Sequence, residues 1–244
     1  MKRIILDEIA STNTFAAQNS SELESGTTII ARSQTAGRGQ RGNSWEAEPG
    51  KNLTFCIFLR PENFPARQQF FISEAFALAI VDALGKCGVT AKIKWPNDIY
   101  VGDRKICGIL IEHAVLGMNL LHTIAGAGIN INQREFRSDA PNPVSLYQLL
   151  GRESDLNSIL EDVEQRFEHR LGLLHDEKSA HAQHQEFLST LWRGNGEFHP
   201  YRDVATQRIF RARIVDVQPL GHLHLEEENG EPHLYAFKEV EFIL

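Results

Sequence analysis

The order of hydrophobic and polar residues predicts a mixture of strands and helices up to about residue 195. Six short, mostly apolar segments are predicted strands, at residues 3–6, 27–32, 52–59, 91–94, 105–113 and 120–130. Three longer segments are predicted helices, at residues 67–86, 157–174 and 181–192. In the second of these helices the apolar residues recur every three or four positions. A further helix is expected to begin at Ser11-Thr12-Asn13.

The pattern changes after Gly194-Asn195-Gly196. Short alternating strands are predicted at residues 209–217, 222–226 and 234–237, separated by turns at Gly221 and Asn229-Gly230. Such a series of short strands is typical of a small β-barrel. We therefore predict an α+β fold, with a mixed-sheet domain packed with helices over residues 1–195 and a small C-terminal β-barrel domain over residues 196–244.

Composition narrows the class of protein. The chain has 244 residues, 42% of them hydrophobic and 23% charged, and a formal net charge of −7. No stretch approaches the roughly 20 apolar residues of a membrane-spanning helix, and the N-terminus lacks the apolar run of a signal peptide. We expect a cytoplasmic protein. The acidic charge argues against a nucleic-acid binder. The three cysteines lack zinc or redox spacing, so we interpret them as small core residues.

Positive charge is concentrated in residues 31–60, which contain five basic and two acidic residues. The centre of this segment is Gly37-Arg38-Gly39-Gln40-Arg41-Gly42. Glycines permit close approach of the backbone to a ligand, and successive exposed N–H groups form an anion-binding nest. The arginines add bidentate geometry suited to phosphate or carboxylate. The alternative is a surface loop with incidental arginines.

Two further segments carry candidate chemistry. In Lys94-Trp95-Pro96-Asn97-Asp98, the last residue is a candidate ligand for Mg²⁺ beside phosphates; the alternative is a structural turn. Lys105 begins an otherwise apolar strand, where a mobile ammonium is suited to following charge between a carboxylate and a leaving phosphate. Its alternative is a lysine that marks a solvated strand end.

A third segment places glycines and amides at a strand terminus. In Gly126-Ala127-Gly128-Ile129-Asn130-Ile131-Asn132, the glycines are typical of close approach by a ligand or a neighbouring backbone. Asn130 and Asn132 would leave one face if the strand continued. The paired histidines, His181 with His184 and His222 with His224, have no carboxylate at a recognised metal-ligand spacing, so we do not expect them to bind a metal.

Taken together and in this order, these segments resemble the biotin–protein ligase family. The matching segments are Ser11-Thr12-Asn13, residues 34–42, Trp45, and residues 94–98, 105–110 and 126–132. The resemblance implies the family's fold and its activity, which is ATP-dependent activation of biotin to biotinyl-5′-AMP and transfer of biotin to a lysine of a biotin carboxyl carrier domain. It implies ATP and Mg²⁺ as cofactors and a monomer or homodimer. From the acidic charge and the lack of a long apolar stretch, we expect no nucleic-acid or membrane partner.

The resemblance also implies roles for individual residues. The implied biotin-binding residues are Ser11, Thr12, Asn13, Gln34, Arg38, Gly39, Gln40, Lys105 and Gly108. The implied ATP-binding residues are Arg38, Arg41, Trp45, Asn97, Asn130 and Asn132, with Asp98 as the metal ligand. Lys105 and Arg38 are the implied catalytic residues, because both would offset charge on the carboxylate and the α-phosphate during transfer.

This sequence departs from the family pattern in two respects. Gln40 and Asn43 stand where many members have arginine, so phosphate contacts would rest more on Arg38 and Arg41, and retention of the adenylate could differ. The biotin element begins at Ser11, which leaves no room for an N-terminal DNA-binding domain and favours the monofunctional type. The open alternatives are a lipoate or octanoate ligase or transferase of the same fold, and a non-catalytic biotin-binding module.

Overall fold

The structure is a computed structural model, and it describes residues 1–40, 44–137 and 142–243. The predicted ATP-side residue Arg41 and the loop position Asn43 lie outside the described residues.

A seven-stranded mixed sheet forms the first part of the fold. Its strands are β1 (Arg3–Ile9), β2 (Thr27–Gln34), β3 (Leu53–Leu59), β4 (Lys92–Lys94), β5 (Asp98–Val101), β6 (Arg104–Leu116) and β7 (Asn119–Ile129). Their order across the sheet is β1-β2-β3-β7-β6-β5-β4. The β1–β2 pair is parallel and the remaining pairs are antiparallel. The predicted mixed sheet is confirmed, and β5 is a strand that the sequence pattern did not predict.

β3 shows why the sheet carries continuous apolar runs. All of its residues are buried. Phe55 and Ile57 belong to the main core with the long helix that follows, whereas Cys56 and Phe58 belong to a second core cluster with Ala16 of the first helix. Because successive strand residues point to opposite faces, a strand covered on both sides is apolar throughout.

The described residues contain five α-helices. They are α1 (Thr12–Gln18), α2 (Phe70–Lys86), α3 (Leu146–Leu150), α4 (Leu156–Leu173) and α5 (Glu177–Thr190). The three long helices match the predictions within a few residues, and Gly88, with φ of +94°, follows Cys87, the C-cap residue of α2. Asp155 caps α4 by accepting hydrogen bonds from the backbone N–H groups of Asn157 and Ser158. The short helix α3 was not predicted. None of the helices in the described ranges is long and apolar enough to cross a membrane.

The C-terminal segment forms a second, antiparallel sheet. Its strands are β8 (His199–Asp203), β9 (Ile209–Val217), β10 (Leu223–Glu227), β11 (Pro232–Tyr235) and β12 (Val240–Phe242), in the order β11-β10-β9-β8-β12. This arrangement agrees with the predicted small barrel-like unit, although β8 and β12 were not predicted. The boundary at residue 195 stays a prediction.

Direct contacts join the second sheet to the first part of the fold. The indole Nε1 of Trp95 donates a hydrogen bond to the carbonyl of Gly221 at 3.0 Å. His184 of α5 lies 2.8 Å from the carboxylate of Asp216 in β9. Buried residues of both parts belong to one core cluster. The C-terminal sheet is therefore in a position to contribute to a site on the first sheet.

All three cysteines are free. Cys56 and Cys107 are buried, and Cys87 is half-buried. Burial raises the pKa of Cys56 to about 12 and also raises the pKa of Cys107. These two side chains are core residues, as predicted, and their raised pKa disfavours the thiolate form.

Candidate active site

A cavity of about 650 Å³ opens over the centre of the first sheet. It is lined by every biotin-side residue that the sequence predicts, from Ser11 to Gly108. The predicted ATP-side residues Trp45 and Asn97 and the predicted metal ligand Asp98 also line it. Residues as far apart in the sequence as Ser11 and Gly108 therefore meet in one place.

The start of α1 forms one end of the cavity. Ser11 stands at the N-cap position, but its hydroxyl makes no capping hydrogen bond. The backbone N–H of Thr12 donates to Gln34 Oε1 at 2.9 Å. Asn13 Nδ2 donates to the Leu110 carbonyl at 3.1 Å and to Glu112 Oε2 at 2.9 Å. These buried polar groups are held in fixed positions, as a site for an uncharged hydrogen-bonding ligand requires.

Glycines in β6 and β7 make room for two of the predicted site residues. A Cβ added at Gly126 would lie 2.1 Å from Asn13 Oδ1. Added at Gly128 it would lie 2.3 Å from Trp45 Nε1, and at Gly108 it would lie 2.9 Å from the same indole ring. The close approach predicted from the glycines is therefore made by the side chains of Asn13 and Trp45, which lie against the bare backbone of the sheet.

The predicted strand-end lysine lies beside the predicted metal ligand. Lys105 Nζ is 2.7 Å from Asp98 Oδ1, and it lies 5.5 Å from the centre of the Trp45 ring. Both partners of the ion pair are half-buried, with 30% and 21% of their side chains exposed. The pairing arises because β5 and β6 are neighbours, so that Asp98 faces Gly108 and Tyr100 faces Lys105.

Arg38 meets a carboxylate that sequence analysis missed. Arg38 Nη2 donates to Glu112 Oε1 at 2.9 Å, and the same carboxylate accepts from Asn13. The signal for Glu112 was a single acid near the end of the apolar strand predicted at residues 105–113. The glycine-rich loop around Arg38 is closed at its base, where Trp45 N–H donates to the Gly37 carbonyl at 3.0 Å. Gln40 Oε1 is buried, and it has no hydrogen-bond partner among the described residues.

The predicted asparagines separate into two groups. Asn97 lines the cavity, and its Nδ2 donates to the Ile109 carbonyl at 2.6 Å. Asn130 and Asn132 follow the end of β7, are buried, and are not among the residues that line the cavity. Asn130 Nδ2 donates to the Val144 carbonyl at 3.1 Å, and Asn132 exchanges hydrogen bonds with the backbone of Ser154. In this structure their amides order the chain after β7, and their predicted ATP contact stays a prediction.

The C-terminal sheet supplies one wall of the cavity that sequence analysis did not foresee. Its lining residues include Phe237, Lys238, Glu241 and Phe242. Lys94, which stands at the start of the Lys94–Asp98 motif without an assigned role, also lines the cavity. The sequence pattern gave no signal for the C-terminal residues, because no local motif shows which end of a small sheet faces a neighbouring domain.

Candidate metal ligands in the described part of the chain gather at one place. One group of three potential ligands is close enough to hold an ion, namely Glu227, Glu231 and His233 of the C-terminal sheet. Asp98 is not part of such a group in the described chain. A metal ion at Asp98 would therefore share its coordination with ligand oxygens, which suits a cation such as Mg²⁺ that accompanies phosphates.

The cavity lining differs between two regions. Buried neutral groups line the end at α1, whereas Arg38 and Lys105 supply positive charge beside them. Arginine and lysine in a partly closed cavity stabilise negative charge that develops on carboxylate or phosphate oxygens. The cavity is thus suited to an acid with a neutral polar head group together with a phosphate-bearing partner.

Comparisons with known proteins agree with this geometry. The model of the "Biotin/lipoate A/B protein ligase family" matches residues 6–130. The "Bifunctional ligase/repressor BirA" of Escherichia coli is 37% identical over 139 residues, which are 57% of this chain and 43% of the relative. The "Biotin--[acetyl-CoA-carboxylase] ligase" of Paracoccus denitrificans is 38% identical over 126 residues, 50% of this chain and 51% of the relative. The matched region thus spans about half the length of these relatives.

Among solved structures, the "Biotin protein ligase from Aquifex aeolicus in complex with biotin and ATP" has a TM-score of 0.80 and 25% sequence identity, over 98% of this chain and 97% of that one. The similarity therefore extends through both sheets. Because the family model covers half of the chain and the fold agrees over nearly all of it, the chain belongs to the biotin/lipoate A/B protein ligase family.

Proposed function

We propose that the protein is a biotin–protein ligase that activates biotin with ATP to biotinyl-5′-AMP and transfers biotin to a lysine of a biotin carboxyl carrier domain. One observation carries the proposal. Lys105, Asp98 and Arg38 line the same cavity as the buried polar residues at the start of α1. A head-group site and a cationic reaction centre are therefore adjacent, as the first step requires.

The related proteins support biotin as the acid. The relatives from Escherichia coli and Paracoccus denitrificans carry ligase names, and the second is named for biotin. The structure from Aquifex aeolicus holds biotin and ATP. In this chain, Ser11, Thr12 and Asn13 would contact the ureido ring of biotin, and Gln34 would support them by holding the Thr12 backbone.

The first step joins the two substrates. A carboxylate oxygen of biotin attacks the α-phosphorus of ATP, the bond from that phosphorus to the bridging oxygen breaks, and pyrophosphate leaves. Lys105 and Arg38 stabilise the charge that gathers on the carboxylate and α-phosphate oxygens. In the second step the amine of the carrier lysine attacks the acyl carbon, and AMP leaves with the electron pair of the anhydride bond.

Asp98 is the residue that would hold Mg²⁺ together with phosphate oxygens, because its carboxylate lies inside the cavity and the cation prefers oxygen ligands. The ion would neutralise phosphate charge when bound. Lys105 forms an ion pair with Asp98, so a metal ion held by Asp98 would compete with the lysine for that carboxylate.

Transfer to a carrier domain tests the proposal. The protein is incubated with ATP, Mg²⁺ and a biotin carboxyl carrier domain, with biotin in one sample and lipoate in the other, and the carrier is analysed by mass spectrometry. We expect the mass of one biotinyl group on the carrier and no lipoyl adduct. A lipoyl or octanoyl adduct would assign the chain to the other branch of the family, and an unmodified carrier in both samples would favour a binding module.

A further inference from the structure

The ammonium of Lys94 is surrounded by aromatic rings. Lys94 Nζ lies 4.9 Å from the centre of the Tyr100 ring, 5.6 Å from that of Phe242 and 5.9 Å from that of Trp192. It also donates a hydrogen bond to the Tyr100 hydroxyl at 3.2 Å. We call Tyr100, Phe242 and Trp192 the aromatic cage. Its members come from β5, from β12 and from the segment after α5, so the first sheet and the C-terminal sheet both contribute.

The cage holds the charge of Lys94 without neutralising it. No carboxylate among the described residues forms an ion pair with Lys94. Asp98, its partner across the β4–β5 pair, is engaged by Lys105 at 2.7 Å. Glu241, the other carboxylate that lines the cavity, is engaged by Arg202 at 3.1 Å. Ring faces attract a cation by their quadrupole and carry no net charge, so the positive charge stays available to an anion in the cavity.

The order of the strands indicates which part of the ligand reaches Lys94. Asn13 lies against β6 and β7, where it contacts Leu110 and Gly126. Lys105 and Asp98 lie on β6 and β5, and Lys94 lies on β4, the edge strand beyond them. The neutral pocket, the Lys105–Asp98 pair and Lys94 thus follow one another across the sheet. If biotin occupies the first and the reacting α-phosphate the second, the remaining phosphates lie toward the third.

We propose that Lys94, held in the aromatic cage, binds the pyrophosphate group: the β- and γ-phosphates of ATP before the reaction and free pyrophosphate after it. This inference rests on the proposed function for the direction of the ligand, but the affinity for pyrophosphate is a property of Lys94 itself. A preordered lysine loses little side-chain freedom on binding, and it keeps the charge of the leaving group localised as the bond to the α-phosphorus breaks.

The test compares two lysines of the same strand. Lys94→Met keeps the length and apolar stem of the side chain and removes the charge. Lys92→Met removes the same charge from an exposed position of β4, where the lysine donates to the Ser189 carbonyl instead of lining the cavity. Inorganic pyrophosphate is titrated into each protein by calorimetry without biotin, and KM values for ATP and biotin are measured separately.

We expect Lys94→Met to raise the Kd for pyrophosphate and the KM for ATP, each by about 10- to 100-fold, as for the loss of one charge-assisted contact. Lys92→Met and the KM for biotin should change less than about twofold, and Lys94→Arg should retain most of the affinity. Equal pyrophosphate affinity in both methionine variants would overturn the inference. If Lys94→Met does not fold, Lys94→Gln replaces it in the same comparison.

The result separates this inference from the proposed function. Loss of pyrophosphate binding in Lys94→Met, in a protein that does not activate biotin, would retain the anion site and reject biotin activation. Normal biotin activation with unchanged pyrophosphate binding in Lys94→Met would support the proposed function and reject the pyrophosphate site at Lys94.

Discussion

Lys105 Nζ lies 2.7 Å from Asp98 Oδ1, so the cation and the carboxylate that the sequence assigns to separate roles form one ion pair. The pair is half-buried, and it lies beside the indole ring of Trp45. Each side chain thereby balances the charge of the other. Binding of ATP and a metal ion would redistribute this balance, with Asp98 turning to the cation and Lys105 to the ligand oxygens.

Replacement of Lys105 by alanine should reduce biotin adenylation by about 100-fold or more, because the main cation at the reacting carboxylate and phosphate is lost. The fold should persist, since the lysine lies at a strand end and is partly exposed. Single-turnover formation of biotinyl-5′-AMP measures the first effect and thermal unfolding the second. Adenylation at a near-normal rate in a folded Lys105→Ala variant would remove Lys105 from its assigned role.

Two glycines of β7 allow the biotin and ATP ends of the cavity to be disturbed separately. Gly126→Ala would place a methyl group against Asn13, and Gly128→Ala would place one against the Trp45 indole. We expect the first variant to raise the KM for biotin and the second to raise the KM for ATP, each by about tenfold, as for moderate overpacking. The variants control for each other, because both add one methyl group to the same strand. Equal effects on both substrates in both variants would contradict the assignment of the two ends.

Substitutions at positions 38 and 40 should change the rate at which biotinyl-5′-AMP is released in opposite directions. Arg38→Ala should accelerate release of biotinyl-5′-AMP, because a cation that lines the cavity is lost. Gln40→Arg should slow release by about tenfold, since a charged donor would replace an amide whose Oε1 has no partner in the described chain. Release is measured by rapid separation of the enzyme from labelled intermediate. A Gln40→Arg variant that releases the intermediate as fast as the unaltered protein would refute this explanation.

His184 links the helices to the C-terminal sheet. Its Nδ1 lies 2.9 Å from Glu74 Oε1 of α2, and its Nε2 lies 2.8 Å from Asp216 Oδ1 of β9. Hydrogen bonding to Glu74, followed by the attraction of both carboxylates, raises the pKa of His184 from 6.5 to about 9 against the opposing effect of burial. A raised pKa means that the folded state binds the proton more tightly than the unfolded state does.

This contribution to stability should be fully present below about pH 6.5 and should be lost as the pH rises through about 9. The pKa shift corresponds to at most roughly 3 kcal/mol. His184→Gln should therefore lower the Tm by several degrees at pH 6 and by much less at pH 10. His181→Gln, at an exposed position of the same helix, is the control and should leave the Tm nearly unchanged at both values. A Tm difference for His184→Gln that did not depend on pH would exclude the ion pairs as its cause.

The long elements and the glycine-rich motifs could be predicted from the sequence because their signals are local. The continuous apolar run of β3 reflects the burial of both of its faces, and the apolar periodicity of α4 reflects the burial of one face. In contrast, β5 has only four residues and follows a proline motif that resembles a turn, and α3 has five residues. Elements this short depend on their tertiary partners more than on their own pattern.

The parts of the site that the sequence did not predict depend on contacts between distant segments. Glu112 belongs to the site because it contacts Arg38 and Asn13, which lie 74 and 99 positions away in the sequence. The cage around Lys94 requires Phe242 from the last strand. The local pattern did not show where the side chains of Asn130 and Asn132 lie. A strand that continued would have pointed both toward one face. Instead, β7 ends at Ile129, and the two amides bind the backbone.

Exchange of labelled pyrophosphate into ATP tests the central claim most directly, because it reports reversible formation of an acyl-adenylate without any carrier protein. The unaltered protein is assayed with biotin, with lipoate and without an acid. We predict exchange that depends on biotin, with at most a trace in the other two samples. Exchange with lipoate alone, or none with biotin although biotin binds, would contradict the claim that this cavity activates biotin.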